Sequence, residues 1–312
     1  MYKRQTDNYV QKNYHLLVNH TFTPQWRLNA GLHYTTGDGY YQEYKIGRKL
    51  VEYGMKPYEV SGENVTKSDL VRKKAMDNWF GGGIFSVSYT NDRLNASLGG
   101  GLNRYDGDHF GKVLWVKNYL GQLNPDNDYY RNNATKNDGN IYLKANYELG
   151  GGVSAYADLQ YRHITYKMHG RNDKWNDDTN ALQTLHIEDK FDFFNPKAGI
   201  NFHNNGHNAF VSFSVANREP NRDNFTEAGP EERPTHETLY DYEAGYSFGN
   251  NRFRVGANLY FMDYNNQLIL TGKISEIGEA LTSNIKDSYR MGIELTGGVS
   301  ITPVSYTHLT LP

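Results

Sequence analysis

Three stretches hold side chains able to grip a ligand: "GDGYYQEYK" with Tyr40 and Tyr41, "NPDNDYYRNN" with Tyr129, Tyr130 and Arg131, and "KMHGRNDKWNDD" with His169, Arg171 and Trp175. Aromatic rings stack on flat molecules, and Arg adds charge-assisted hydrogen bonds, so this set suits a large anionic or conjugated ligand. A fourth stretch, "REPNR", places Arg218 and Arg222 where a strand becomes a loop. Those two cations could meet a ligand, although a structural role is the favoured reading. The plain alternative for every one of these residues is loop packing and solvation.

Bond-making chemistry finds no such support. There is no G-x-S-x-G, H-E-x-x-H or phosphate-binding loop. Asp126 and Asp128, and Asp173, Asp177 and Asp178, offer oxygens to a cation. Neither group has the order of a calcium loop or its closing Glu, so both read as solvated acidic loops. His20, His33, His163 and His203 stand on strands without a second ligand at useful spacing. No catalytic residue, metal site or cofactor is expected. The triplets Gly81–Gly83 and Gly99–Gly101 fall inside strands and read as close approach or bending of a wall.

The elements that must position these residues are extended. The chain of 312 residues is 38% hydrophobic yet has 26 Tyr and 31 Gly, a mixture that suits many strands burying one face each. Period-two alternation marks eleven strands, near 10–22, 26–36, 80–90, 93–104, 140–149, 153–167, 195–204, 208–217, 239–248, 252–268 and 285–301. In "NRFRVGANLYFMDY", Phe253, Val255, Leu259 and Phe261 form one face, and Arg252, Arg254 and Asn258 the other. Short turn-like links (23–25, 91–92, 150–152, 204–207, 249–251) alternate with long ones near 37–78, 105–139, 168–193, 218–238 and 269–284. All short turns then fall on one rim and all long loops on the other.

Phe22, Trp26, Tyr89, Tyr147, Phe202, Phe248 and Phe253 each lie near a short turn, on the apolar face of their strand. Such a ring is what a membrane girdle requires. The pattern predicts an all-β, antiparallel, up-and-down transmembrane β-barrel with the greasy flank toward lipid. Lys144, Asp158, Arg162, Glu243, Arg252, Arg254, Arg290 and Glu294 would face a wet lumen. No run of about 18 apolar residues occurs, which excludes only helical membrane proteins. A net charge of −2 argues for no nucleic-acid partner, and zero Cys excludes disulfides and thiolate chemistry. Eleven strands leave two edges that hydrocarbon does not tolerate, so the barrel is expected to be partial. Residues 1–302 form the barrel segment. The tail "PVSYTHLTLP", 303–312, breaks the pattern and resembles translated sequencing read-through.

"VSFSVANREPNRDNFTEA" (Val211–Ala228), "ETLYDYEAGYSFGNNRFRVGANLYFMDYNNQLILTG" and "NIKDSYRMGIELTGG" resemble strand-and-loop signatures of TonB-dependent outer-membrane receptors, in the order of the later half of their barrel. The resemblance implies a barrel of about 22 strands, half of it here, with short periplasmic turns and long extracellular loops. It further implies uptake of a scarce ligand such as a siderophore or corrinoid. TonB would be engaged through a plug domain that is not found in this sequence, and the lumen charges would meet that plug. Arg72, Lys73 and Lys74 are read as a hydrated run, with lipopolysaccharide phosphates as the alternative contact. The competing readings are a porin or barrel enzyme, and a soluble all-β binding module with its greasy faces sandwiched.

Overall fold

The computed structural model describes residues 5–177, 179–228, 233–274, 280–302 and 305–306. The long strands are β1 (Gln5–Thr21) and β2 (Trp26–Lys49). After a small hairpin, β3 (Tyr58–Val60) and β4 (Glu63–Val65), come β5 (Lys67–Thr90), β6 (Leu94–Val116), β7 (Asp128–Gly150) and β8 (Val153–Asn176). Then follow β9 (Ala181–Asn204), β10 (His207–Arg218), a short helix α1 (Arg222–Glu227), β11 (Glu237–Gly249), β12 (Phe253–Ile274), β13 (Ala280–Thr302) and the two-residue β14 (Ser305–Tyr306). Apart from the separate β3–β4 hairpin, all join one antiparallel sheet in chain order. Among the described residues the sheet is open. The expected tail at 303–312 lies outside the described residues except for the pair 305–306.

Eleven long strands form, as the alternation predicts, but their upper ends correct the expected loops. The segments 37–49, 67–78, 105–116, 128–139, 168–176 and 181–193 were expected in long connections and are instead continuous strand. β8 and β9 are joined by a four-residue link, 177–180, not by a long loop. The physical reason is that most of these stretches lack a continuous greasy face. Tyr, Asn, Asp and Gly on both sides erase the alternation, while backbone pairing, which needs no apolar residue, continues. The segment 181–193 does alternate, but its apolar side (Leu185, Ile187, Phe191, Phe193) lies on the polar face of the sheet, against the cluster that Phe225 enters. A bilayer crossing takes about 9–11 tilted residues, so strands of 22–24 residues carry a second half beyond any membrane.

The short links hold as tight turns. Asn91 Oδ1 accepts from the backbone N–H of Arg93 and Leu94, and Asn250 Oδ1 accepts from Arg252 and Phe253. Asn205 and Gly206 turn with φ of 49° and 82°. Arg252 therefore belongs to a turn and not to the wall. Gly82 serves close approach, since a Cβ there would sit 2.3 Å from the Leu102 carbonyl oxygen.

Two neighbouring rows across the sheet fix its character. One runs Trp26–Tyr89–Ala96–Ala145–Ala157–Ala198–Phe213–Tyr242–Phe261–Met291, apolar or aromatic at all ten strands. One residue along, on the opposite face, runs Arg27–Ser88–Ser97–Lys144–Asp158–Lys197–Ser214–Asp241–Met262–Arg290, polar at nine. The apolar face has no protein over it: Leu102 is 74% exposed, Ile293 67% and Val211 64%. A sandwiched soluble module would have buried it. Both buried hydrophobic clusters lie instead on the polar face, in the upper half.

The aromatic ring at the short-turn rim is present, with Trp26 on Tyr89 at 4.8 Å and Phe248 on Phe253 at 5.6 Å between centroids. A second ring, not read from the sequence, lies above it. Trp26 and Tyr34, Phe202 and Phe194, and Phe253 and Phe261 are each eight residues apart on one face, and Tyr89 and Trp79 ten. At about 3.4 Å per residue and a tilt near 40°, the rings are separated by roughly 21–26 Å, the height of an outer-membrane apolar band.

The sheet curls toward its polar face. Arg72 on β5 and Asp173 on β8 are three strand positions apart, about 14 Å on a flat sheet. Their nitrogen and oxygen nevertheless meet at 3.0 Å.

This arrangement makes a direct expectation for Leu143, exposed on the apolar face between the rings. In the full-length protein folded into lipid vesicles, Leu143→Arg should cost about 2–4 kcal/mol, as a cation near the bilayer midplane does. Lys144→Leu, one residue along, should change stability far less. Equal effects by urea titration would contradict the assignment of faces.

Candidate functional site

Above the upper aromatic ring, the polar face carries an ion cluster centred on Arg72, which is 8% exposed. Its Nε and Nη2 each lie 2.7 Å from Glu43 Oε1, its Nη1 is 3.0 Å from Asp173 Oδ2, and that nitrogen also donates to Tyr53 Oη at 3.4 Å. Lys74 contacts the same Asp173 carboxylate, and Lys45 holds Glu43 at 3.0 Å. The strand period puts Arg72 and Lys74 on this face and Lys73 on the other, where its ammonium lies 4.0 Å from the Tyr40 ring centre. The basic run expected to be hydrated as a unit is therefore split. Asp173, expected to be solvated, is instead ion-paired and sheltered.

A loop segment covers this cluster. Leu50, Tyr53 and Met55 pack on Leu70, Val113, Val116, Tyr129 and Tyr130, and Tyr53 and Tyr129 ring centres are 4.8 Å apart. Burial pushes the Tyr41 phenol up to about 12 and raises Tyr129 and Tyr130 further, so all three stay neutral phenols. Burial would raise the Glu43 carboxyl, but hydrogen bonds from Lys45 and the charge and hydrogen bond of Arg72 outweigh it. Its pKa falls below the ordinary value.

A second segment, 219–227, folds onto the same face at the height of the upper ring. α1 is capped reciprocally: Asn221 Oδ1 accepts from Asn224 N–H at 2.9 Å, and Asn224 Oδ1 accepts from Asn221 N–H at 2.7 Å. Phe225 enters the cluster of Ala134, Ile164, Tyr166, Met168, Leu185, Phe191 and Phe193, a burial worth about 1.5–3 kcal/mol. Arg222 donates to Asn132 Oδ1 at 2.7 Å, while Lys174 and Gln183 donate to the Thr226 carbonyl. Burial together with the Arg222 charge pushes the His109 imidazole down to about 4, so it is neutral at neutral pH.

Before α1, Glu219 is held by Lys136 at 2.5 Å and by two guanidinium nitrogens of Arg162 at 3.0 Å each. Arg162 also grips Asp138 through Nε at 3.0 Å and Nη2 at 2.5 Å. Burial would raise the Glu219 carboxyl, but Lys136 and the charge of Arg162 hold it below its usual range.

The ligand residues expected from the sequence divide by face. Tyr41, Tyr129, Tyr130 and Arg222 gather on the polar face. Tyr40, Arg131 and His169 stand on the opposite one, because regular strand alternates faces from residue to residue. Only the β-bulge opposite Gly111 and Lys112 lets Tyr129 share a face with Tyr130. Arg131 is 2.7 Å from both Asp108 and Asp128 and lies over Phe110, and His169 meets Glu188 at 3.2 Å. Arg171 is exposed, and its carbonyl accepts from Asn132. Trp175 Nε1 donates to Asp177, which also pairs with Lys49, while Asp126 is 95% exposed and Asp178 lies outside the described residues. Arg218 pairs with Glu237 at 3.0 Å.

Of the wall charges, Lys144 and Asp158 meet at 3.4 Å, and Arg290 lies over the Tyr264 ring. Glu243, Arg254 and Glu294 share that face by register. His33 bonds Asn103 and His163 bonds Asp192, roles within the sheet. Glu43, Lys136 and Asp138 escaped the sequence reading, and Glu219 entered it only as part of "REPNR", without a role. Strand parity counted upward from the short turns would have put the first three on the polar face.

Residues 1–311 match the family model described as "TonB dependent receptor-like, beta-barrel". Among solved structures, the chain superposes on the copper transporter OprC with TM-score 0.68 at 11% identity, over 96% of this chain and 45% of that one. It is also similar to the closed form of the ferric-catecholate import receptor Fiu from E. coli K12 (TM-score 0.62, 14% identity, 95% and 46% covered). A third is the siderophore receptor PiuA from Acinetobacter baumannii (0.57, 14%, 95% and 45%). The chain thus spans a little under half the length of these structures. No curated protein matches it in sequence. The chain belongs to the TonB-dependent receptor-like β-barrel family, whose members are outer-membrane transporters and not enzymes.

The lowered Glu43 and Glu219 carboxyls set a pH dependence. A carboxyl whose folded pKa lies below its unfolded value contributes stability above the unfolded pKa and loses it as pH falls through the folded one. Docking of segments 50–66 and 219–227 should be complete at pH 7 and weaken once acidification passes below the usual Glu range. Amide exchange on the full-length receptor in detergent, corrected for intrinsic rates, should show these segments opening at pH 3. Glu43→Gln should already loosen 50–66 at pH 7. Protection unchanged between the two pH values would refute the roles given to these carboxylates.

Proposed function

We propose that this chain is part of a receptor that takes up a scarce ligand across the outer membrane with energy delivered through TonB. In this reading it supplies about eleven of roughly 22 strands, from the later half of the barrel. The short turns face the periplasm and the long upper strand halves stand outside. The observation that supports it most is the pair of adjacent rows, one apolar and one polar over ten strands. In this reading such a wall separates lipid from a wet interior that holds the plug.

The ligand fits as a large anionic or conjugated molecule of siderophore or corrinoid type. Tyr41, Tyr129 and Tyr130 are the wall aromatics nearest its entry, and Arg222 and Arg162 are the cations below them. Lys144, Asp158, Glu243, Arg254, Arg290 and Glu294 line the lumen beside a plug domain contributed by the rest of the receptor, which also carries the TonB contact. Lys73, Arg131 and Lys167 share the outer face above the upper ring by register, and in this reading they are the cations that would meet lipopolysaccharide phosphates.

The full-length gene expressed in a receptor-deficient host tests this. Uptake of a panel of iron-siderophore and corrinoid ligands should appear with the gene and vanish when TonB is deleted. Uptake that persists without TonB would leave a passive pore as the better reading.

A further inference from the structure

Within the uptake reading, the segment 219–227 raises a question of its own. Why does a carboxylate from a loop lie against the lumen wall, clasped by two cations that no strand neighbour needs? Arg162 already has a partner in Asp138 on the adjoining strand β7, which engages Nε and Nη2. Its Nη1, and Nη2 again, turn to Glu219, and Lys136 adds a third contact. Without Glu219 the wall would present two cations and one carboxylate, a net charge of +1. Arg guanidinium in a fork and a Lys ammonium are the donors that bind carboxylate, catecholate or phosphate oxygens. With Glu219 the four charges balance. The Glu219 side chain is only 12% exposed, so the loop fills the place an anion would occupy.

We propose that Lys136 and Arg162 form an anion site on the lumen wall which the chain's own Glu219 occupies, and that an anionic ligand enters by displacing Glu219. Displacement frees the segment 219–227 from the wall. The geometry makes the exchange cheap at the site itself, because oxygen donors are replaced by oxygen donors. What opposes it lies further along the segment, in the burial of Phe225, the Arg222–Asn132 contact and the two bonds to the Thr226 carbonyl. The ligand must therefore outbid the whole segment. A single small anion should do so weakly, and a large multivalent anion bridging Lys136 and Arg162 should do so well.

The test uses the full-length receptor in detergent and two probes, inorganic pyrophosphate and the ferric tris-catechol complex, with titration calorimetry and trypsin cleavage after Arg222 as readouts. In Glu219→Gln, cleavage should quicken without probe, and the tris-catechol complex should bind up to about tenfold more tightly, as when a competing closed state is removed. In wild type the complex should quicken cleavage, and pyrophosphate should do so less. Arg162→Gln and, should that variant misfold, Lys136→Gln should bind the complex more weakly than wild type and show no probe-driven cleavage. Binding unchanged or weakened in Glu219→Gln would overturn the proposal, as would probe-driven cleavage that survives in Lys136→Gln. None of these readouts depends on TonB, so a failed uptake experiment and a failed displacement experiment remain distinct.

Discussion

Backbone polar groups cannot be left open in hydrocarbon, and a strand satisfies them only sideways, through its neighbours. That constraint frees the side chains. With hydrogen bonding handled by the ladder from β1 to β13, each face of the sheet answers separately to the medium it meets. The row from Trp26 to Met291 answers to lipid, and the row from Arg27 to Arg290, one residue away, to water. No conventional core is needed for this. The two buried clusters belong to segments folded onto the polar face, so they position a site and do not hold the wall together.

Above the upper aromatic ring the same ladder carries on for roughly another membrane's thickness, and there both faces are wet. The strands consequently become a scaffold for ion pairs between elements that are distant in sequence. Arg72 joins residues 43, 53 and 173, and Arg162 joins 138 and 219. Arg72 reaches Asp173 three strands away because the sheet curls, and each guanidinium fastens a loop over the polar face. Fold and site are thus linked by curvature: flatten the sheet and the Arg72–Asp173 contact is lost.

How much of this was legible in the residues depends on the medium each segment occupies. Between the aromatic rings, Val153–Tyr161 or Phe253–Phe261 alternates so regularly that face, direction and strand number follow directly. Beyond the rings, Tyr40–Tyr41 and Tyr130–Arg131 look like loop clusters, because two wet faces produce no alternation. Continuous pairing then sends Tyr40 and Arg131 to the face opposite Tyr41 and Tyr130. The upper ring was missed for a related reason: Tyr34, Trp79, Phe194 and Phe261 adjoin no turn that marks them. The inward folding of Glu219, Arg222 and Phe225 depends on contacts 57 to 90 positions apart in sequence, with Arg162, Tyr166, Lys136 and Asn132. No local pattern encodes those.

Single cysteines carrying a nitroxide can be placed one at a time along 253–264 of the full-length protein in vesicles, with any Cys outside these 312 residues, which hold none, replaced by Ser. Spin-label accessibility to oxygen, which enriches in lipid, and to a water-soluble nickel chelate gives the direct answer. Oxygen contact should peak at 255, 257, 259 and 261 and nickel contact at 254, 256, 258 and 260. A profile without that two-residue period, or odd positions shielded from both reagents, would contradict the wall between lipid and water.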